Sequence, residues 1–411
     1  ALMDINRAIE LKPKSIIYLD LRFRIHYNLN EIEKTIADLL RIVELDTDLS
    51  AAKNGINNNL GFIYREIEKY DKALEYFTKD INLRPYQDLA YTNRALLYAY
   101  NLNENEKALI DFNKAIELNP LADNFYRRGY FYSEIGEYNN ALLDYNKAIE
   151  LDPDDMDKLD VKAGVLLELG KTDEALKVYN DITIFYKKDL DKYREGLIFN
   201  YKHISNVYFK YISDYSKALE YTNKVIKLYL ELDERDLVGE SEALSLRGNI
   251  YLAQGKTKKA ELDYLKAVEL SSEETNFYYS LANFYIKTND NKSAIKTVDK
   301  VIKMDRHDPQ GYFQEALIYI EENNYVKAMS LMSISILKLE DSEIENEGYY
   351  IEDIDGKKRI SLADLYLYRA KISKKLGDVS YACEDIKTAL SKSKTEDEKE
   401  EIEKRISLEC N

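Results

Sequence analysis

Tryptophan is missing from these 411 residues, cysteine occurs twice, histidine three times and proline five times. Cys383 sits inside the pattern described below and Cys410 is next to the last residue, so they build no disulfide framework and no zinc ligand set. A reducing compartment is compatible with such a pair, and the expected location is cytoplasmic. There is no run of about 18 apolar residues, which removes a membrane-spanning helix. Acidic side chains outnumber basic ones by 75 to 59, a net charge of -16, and a polyanion needs clustered Lys and Arg, so nucleic acid is excluded as a partner.

The chemistry of catalysis is equally thin. His26, His203 and His307 lie far apart with no ligand three or four residues on, and no Gly-rich elbow surrounds a nucleophile. Gly170-Lys171-Thr172 and Gly255-Lys256-Thr257 end like phosphate-binding loops, but five and six residues separate them from Gly164 and Gly248 where four are needed. Calcium loops started near Gly348 and Gly356 would require Glu where Ile354 and Leu362 stand. No catalytic residue, metal site or cofactor is expected. The chain binds rather than transforms.

What is abundant is repetition. A small residue recurs at Ala1, Thr35, Ala73, Ala108, Ala141, Ala175, Ala218, Ala260, Ala294, Ala328 and Ala382, with steps of 34 residues from Ala260 to Ala294 to Ala328. Hydrophobic residues make up 45% of the chain, enough for a core, and a fixed period of this length means stacked helical hairpins that bury apolar faces only against their neighbours.

The segment Phe125 to Pro153 shows one unit. Gly129 lies where the first helix must approach the second closely, and Ala141 and Ala148 put small residues on one face of the second. Tyr132 and Tyr145 fill the space between, Gly136 ends the first helix in a left-handed conformation, and Pro153 stops the second. The close-approach position is Gly61, Ala95, Gly129, Ala163, Ser205, Gly248, Ala282, Ala316 or Ala370 elsewhere, with Phe23 the exception; Pro13, Pro85, Pro120 and Pro153 close second helices.

This arrangement resembles the tetratricopeptide repeat over essentially the whole chain, with Tyr91, Phe125, Tyr201, Tyr278, Tyr312 and Tyr366 where the family places Trp. The resemblance implies an all-α fold, a right-handed α-α superhelical solenoid of about ten repeats after an N-terminal half repeat. The expected divisions are an array over 1–187, a second over 188–339 that opens with two lengthened junctions, an acidic insertion over 340–361, a last repeat over 362–394 and a polar capping helix over 395–411. Thr395 with Glu398 reads as its capping box, and Glu400–Lys404 and Glu401–Arg405 have helix-stabilising spacing. Beginning at Ala1 in mid-repeat, the chain reads as a piece of something longer, and its exposed half repeat is a candidate for self-association.

Departures from the period locate individuality. Ala175 to Ala218 spans 43 residues and Ala218 to Ala260 spans 42, a one-residue difference assigned to an insertion near Ile212; the eight further residues predict one extra turn on each flanking helix, as in the longer-period arrays of kinesin light chains. Between Ala328 and Ala382 twenty residues are added, containing Asp355-Gly356, a dipeptide suited to a tight hairpin.

The first helices of such an array line a concave face. Helical spacing puts Asn58, Asn59, Asn93, Tyr126, Arg127, Tyr130, Lys202, Asn206, Asn249, Tyr279 and Asn283 there as the candidate binding residues for a protein or peptide partner. Asn206, Asn249 and Asn283 occupy equivalent sites in successive repeats, and an amide can both donate to and accept from an extended backbone. The family's carboxylate clamp is not expected: Asn93 and Arg127 match it, but Asp123 replaces a Lys and Asn58 and Phe62 replace the leading pair; Lys202 and Asn206 match that pair, yet Leu246, Asn276 and Ser280 do not continue it. Asp157, Asp160 and Glu168 make the middle acidic, and Lys371, Lys374 and Lys375 make the last unit basic. The expected function is a non-catalytic interaction scaffold, with the recruiting arm of a larger enzyme as the alternative.

Overall fold

Helix termination sets the architecture. In a computed structural model that describes residues 1–45, 55–232, 234–342, 349–353 and 356–410, ten helical hairpins follow the opening helix Leu2–Leu11. At their intra-hairpin turns the backbone takes a positive φ: Asn30, Glu68, Asn103, Gly136, Gly170, Ser213, Gly255, Asn289, Asn323 and Gly377. Gly adopts that conformation without a Cβ penalty and Asn tolerates it, which is why these types dominate the list. The Gly-Lys-Thr triplets are therefore helix-terminating turns, each with its Gly left-handed and its Thr opening the next helix. Second helices Tyr70–Leu83, Asn105–Leu118 and Tyr138–Leu151 each end two residues before a Pro.

Two compact units make up the chain, Ala1–Ile182 and Thr183–Asn411. Within the first, the hairpins are Ile16–Asn28 with Ile32–Leu45, Ile56–Glu66 with Tyr70–Leu83, Asp88–Tyr100 with Asn105–Leu118 and Ala122–Glu134 with Tyr138–Leu151; Met156–Glu168 then precedes Thr172–Tyr186, in which the boundary falls. The close-approach positions are as tight as the sequence requires. A Cβ on Gly61 would lie 2.5 Å from the Phe77 ring, and one on Gly129 would lie 3.1 Å from both Asp144 and Tyr145.

Within the second unit, Leu190–Asn206 pairs with Tyr215–Leu230, Leu237–Ala253 with Thr257–Leu270, Thr275–Lys287 with Asn291–Met304, Pro309–Glu321 with Tyr325–Glu340, and Leu362–Lys375 with Val379–Lys392, before the terminal helix Glu396–Glu409. The first helices of the two lengthened repeats have 17 residues against 13 in Asp88–Tyr100, a gain of about one turn. The second helices gain less: Thr172–Tyr186 has 15 residues and Tyr215–Leu230 has 16 against the usual 14, the rest going into the connections. The one-residue insertion is taken up by a π-helical turn over Val207–Ile212, which widens the helix locally instead of extending it.

The acidic insertion carries a two-stranded antiparallel hairpin, Tyr349–Asp353 with Gly356–Ile360, an exception to the otherwise all-α structure. Asp353 pairs with Gly356, so Gly356 belongs to the strand and the connection is 354–355. Asp355 and Gly348, both singled out from the sequence, lie outside the described residues. Strand Tyr349–Asp353 reaches helix Thr275–Lys287.

One recurring interaction was not foreseen. Arg22, Arg94, Arg128, Arg247 and Arg369 each precede a close-approach residue and grip an Asp sixteen or seventeen positions on, through paired hydrogen bonds to Asp38, Asp111, Asp144, Asp263 and Asp385. The remaining guanidinium nitrogen donates to the preceding second helix, at Asn6, Thr78, Asn113, Asn223 and Ser333 respectively. Each Arg therefore ties three helices, a use that its planar fork suits and a Lys could not serve.

The cysteines correct a second expectation. Val379–Lys392 and the terminal helix pack so that Cys383 and Cys410 form a disulfide, with Cα atoms 5.6 Å apart. Sequence position alone hid this, because the terminal helix folds back along the last repeat. The capping box of Thr395 with Glu398 is present, as is the Glu400–Lys404 pair; Arg405 turns to Glu409.

Candidate partner-binding groove

In the first unit the candidate residues are engaged by other side chains of the protein, and one pair of candidates meets directly. Asn93 Nδ2 donates to Asn58 Oδ1 at 2.9 Å, linking adjacent repeats, and Asn58 is buried while Asn59 is half-buried. Arg127 donates to Asp123 at 2.7 Å, so the guanidinium that resembles a carboxylate clamp is already paired with an anion of its own helix. Tyr126 packs on Tyr145 and Tyr130 on Tyr100, with ring centroids 5.9 and 6.5 Å apart. Tyr130 and Tyr100 are both exposed, at 42% and 46%.

The second unit supplies a cavity. Lys202 and Asn206 from Leu190–Asn206, Asn249 from Leu237–Ala253, and Asn276 and Ser280 from Thr275–Lys287 line a concave pocket of about 370 Å³. Three successive first helices thus converge on one space. Lys202 Nζ bridges to Glu242 at 2.6 Å across it, and Tyr264 donates its hydroxyl to Asn249 Oδ1 at 2.6 Å, which fixes the amide so that its NH₂ is the group left for a ligand carbonyl. Ser245 lines the same pocket, and its buried Oγ has no hydrogen-bond partner among the described residues.

Two other candidates stand elsewhere. Asn283 is half-buried and does not line the pocket. Tyr279 is 4% exposed and donates to the carboxylate of Asp308, the residue capping helix Pro309–Glu321. Burial raises the pKa of Asp308, and the Tyr279 hydroxyl acts against that rise. Tyr279 is thus a junction between repeats. Glu242 and Ser245 join the pocket beyond the sequence candidates: Ser245 stands three residues before Gly248, as Lys202 stands before Ser205, and Glu242 stands six before it, as Asn276 stands before Ala282, so position in the period marks both.

Antiparallel helical hairpins of near-constant length, each packed on the next through small residues, define a helical-repeat solenoid. Models described as tetratricopeptide repeat match residues 122–155 and, for a second model, 55–87, 89–120, 241–274 and 275–308. The chain carries tetratricopeptide repeats in both of its units. It is 21% identical over 320 residues to a DnaJ homolog subfamily C member 3 of Gallus gallus, covering 73% of this chain and 56% of the relative. To a TPR repeat-containing protein of Methanocaldococcus jannaschii it is 24% identical over 306 residues, covering 74% and 47%. The chain thus spans about half the length of these relatives. A shorter stretch of 62 residues is 49% identical to a UDP-N-acetylglucosamine–peptide N-acetylglucosaminyltransferase of Giardia intestinalis, covering 15% of this chain and 4% of that one. A solved tetratricopeptide repeat protein from Parabacteroides merdae is 18% identical with a TM-score of 0.44, covering 71% of this chain and 99% of its own. Tetratricopeptide repeats support a protein-interaction scaffold. Among the described residues no helix is long and apolar enough to cross a membrane.

Proposed function

We propose that the chain holds an extended segment of a partner protein in the concave groove of its second unit. The observation that carries this reading is the convergence of Lys202, Asn206, Asn249, Asn276 and Ser280 from three successive first helices on one pocket. Amide and hydroxyl groups of this kind bond a peptide backbone whatever its side chains, and the Lys202–Glu242 pair offers one charge of each sign to the ligand's side chains. The reading is non-catalytic. Selection of binders from an unbiased peptide display library tests it, with the selected peptides titrated against wild type and an Asn206→Ala/Asn249→Ala variant. A loss of at least about tenfold is expected, a little over 1 kcal/mol. Unchanged affinity would move the site to the convex face or to the acidic insertion.

A second reading, the recruiting arm of a larger enzyme, is favoured by the 62-residue likeness to a glycosyltransferase. The full open reading frame separates the two. Self-association through helix Leu2–Leu11 is supported by the exposure of Met3 and Leu11, and concentration-dependent mass in light scattering would reveal it. Cytoplasmic residence belongs to the proposal as well. The Cys383–Cys410 bond draws the other way, since disulfides persist in oxidising compartments, and thiol labelling in fractionated cells decides between them.

A further inference from the structure

The line of groove positions that reads Asn206, Asn249 and Asn283 continues, one repeat at a time, as Leu317 and Lys371. The chemistry changes there from amide to apolar and cationic. A second pocket of about 510 Å³ opens at this place, between helices Pro309–Glu321, Leu362–Lys375 and the terminal helix. Its floor is apolar: Leu317, Ile320, Tyr325, Tyr368 and the buried Ile372.

The rim is positive. Lys371 and Lys375 are exposed, and Lys371 Nζ stands 5.1 Å from the centre of the Tyr368 ring. Lys374 and Arg405 share a single anion, Glu409, with Arg405 Nε 3.5 Å from it. Four cations against one carboxylate leave an excess of three positive charges around an apolar floor, in a chain whose net charge is -16. That contrast specifies the occupant by charge complementarity. The volume suits a few buried side chains rather than a folded surface.

We propose that this pocket receives an acidic segment of a partner protein through one bulky apolar side chain, which fills the floor while flanking carboxylates meet Lys371, Lys375 and Arg405. The segment is internal and carries no terminal carboxylate into the site. The pocket is distinct from the Asn-lined groove, so the two sites read different features of a ligand.

Fluorescence anisotropy on the full chain tests this with three labelled peptides, amidated at the C-terminus: one of Asp and Glu with a central Phe, the same with Ala for Phe, and a Lys-rich version retaining Phe. The acidic Phe peptide should bind at least about tenfold more tightly than either of the others, and raising NaCl from about 50 to about 300 mM should weaken it. Lys371→Glu/Lys375→Glu, both at exposed positions, should cost at least about tenfold with an unchanged circular dichroism melt, and so should Leu317→Gln. Asn206→Ala/Asn249→Ala should leave this affinity unchanged, which separates failure here from failure of the groove reading. Equal binding of the Phe and Ala peptides, insensitivity to the Lys reversal, or no binding by any peptide would overturn the proposal. So would binding of laurate with the same sensitivity to both variants when the peptides do not bind, which would make the ligand a small anionic amphiphile.

Discussion

Arg128 holds Asp144 through two parallel hydrogen bonds of 2.7 Å, Nε to Oδ2 and Nη2 to Oδ1, between the two helices of one repeat. Side-chain exposure is 19% for Arg128 and 7% for Asp144, so the pair is largely withdrawn from water. The carboxylate bond raises the Arg128 pKa further, and the guanidinium stays charged across the whole working range.

Breaking that pair from one side leaves a carboxylate buried without its partner. Arg128→Ala should therefore destabilise by about 3 kcal/mol, and Arg128→Lys by a good part of that, because an ammonium cannot make the two parallel bonds. Removing both partners in Arg128→Ala/Asp144→Ala should cost less than the sum of the single changes. Urea denaturation of the four proteins measures this, and strict additivity would show that the pair is not coupled.

Tyr145 gives a prediction in pH. It is fully buried, and burial pushes its phenol from 10.0 up to about 12 despite the Ser133 hydroxyl working against the shift. Folding therefore favours the neutral phenol. The stability this contributes is complete below pH 10, where the unfolded phenol is still protonated, and is lost as the pH rises through 10 toward 12. Tyr145→Phe has no phenol to ionise and should flatten that part of the alkaline loss. Circular dichroism melts from neutral to strongly alkaline pH give the comparison; parallel losses in the two proteins would refute it.

The Cys383–Cys410 bond closes a loop with a sequence separation of 27 residues. A loop of that size corresponds to about 3.5 kcal/mol of chain entropy removed from the unfolded state. In a repeat array the effect should stay local. Reduction, or Cys410→Ser, should speed amide exchange in Glu396–Glu409 while Asp88–Tyr100 keeps its protection. Equal exchange in the oxidised and reduced proteins would show that the terminal helix is held by its apolar contacts, such as Ile402, alone.

The repeat was legible because its signals are local and recur: the small residue at every close approach but that of Phe23, the left-handed turn residue and the proline after four of the second helices. Harder to read were interactions whose partner lies on another helix. Arg128 and Asp144 look like solvated surface charge in sequence, and only the sixteen-residue spacing, repeated with Arg22, Arg247 and Arg369, marks them as a pair. Tyr279 looked groove-facing because its helical phase is right, but Asp308, 29 residues on, draws it into the junction. The cavity was legible in part: Lys202, Asn206 and Asn249 line it as helical spacing expects, and Ser245 and Glu242 hold the period positions of Lys202 and Asn276, but nothing local in the sequence shows that three successive helices close a space around them.

The third hydrogen bond of each Arg determines where the array can be divided. Arg247 takes its last partner, Asn223, from the helix before its own repeat, as Arg128 does from Asn113. A fragment that begins at Leu237 keeps the Arg247–Asp263 pair but strands one guanidinium nitrogen, whereas one that begins at Tyr215 carries the full set. The natural module of this chain is therefore offset by one helix from the repeat that its period displays.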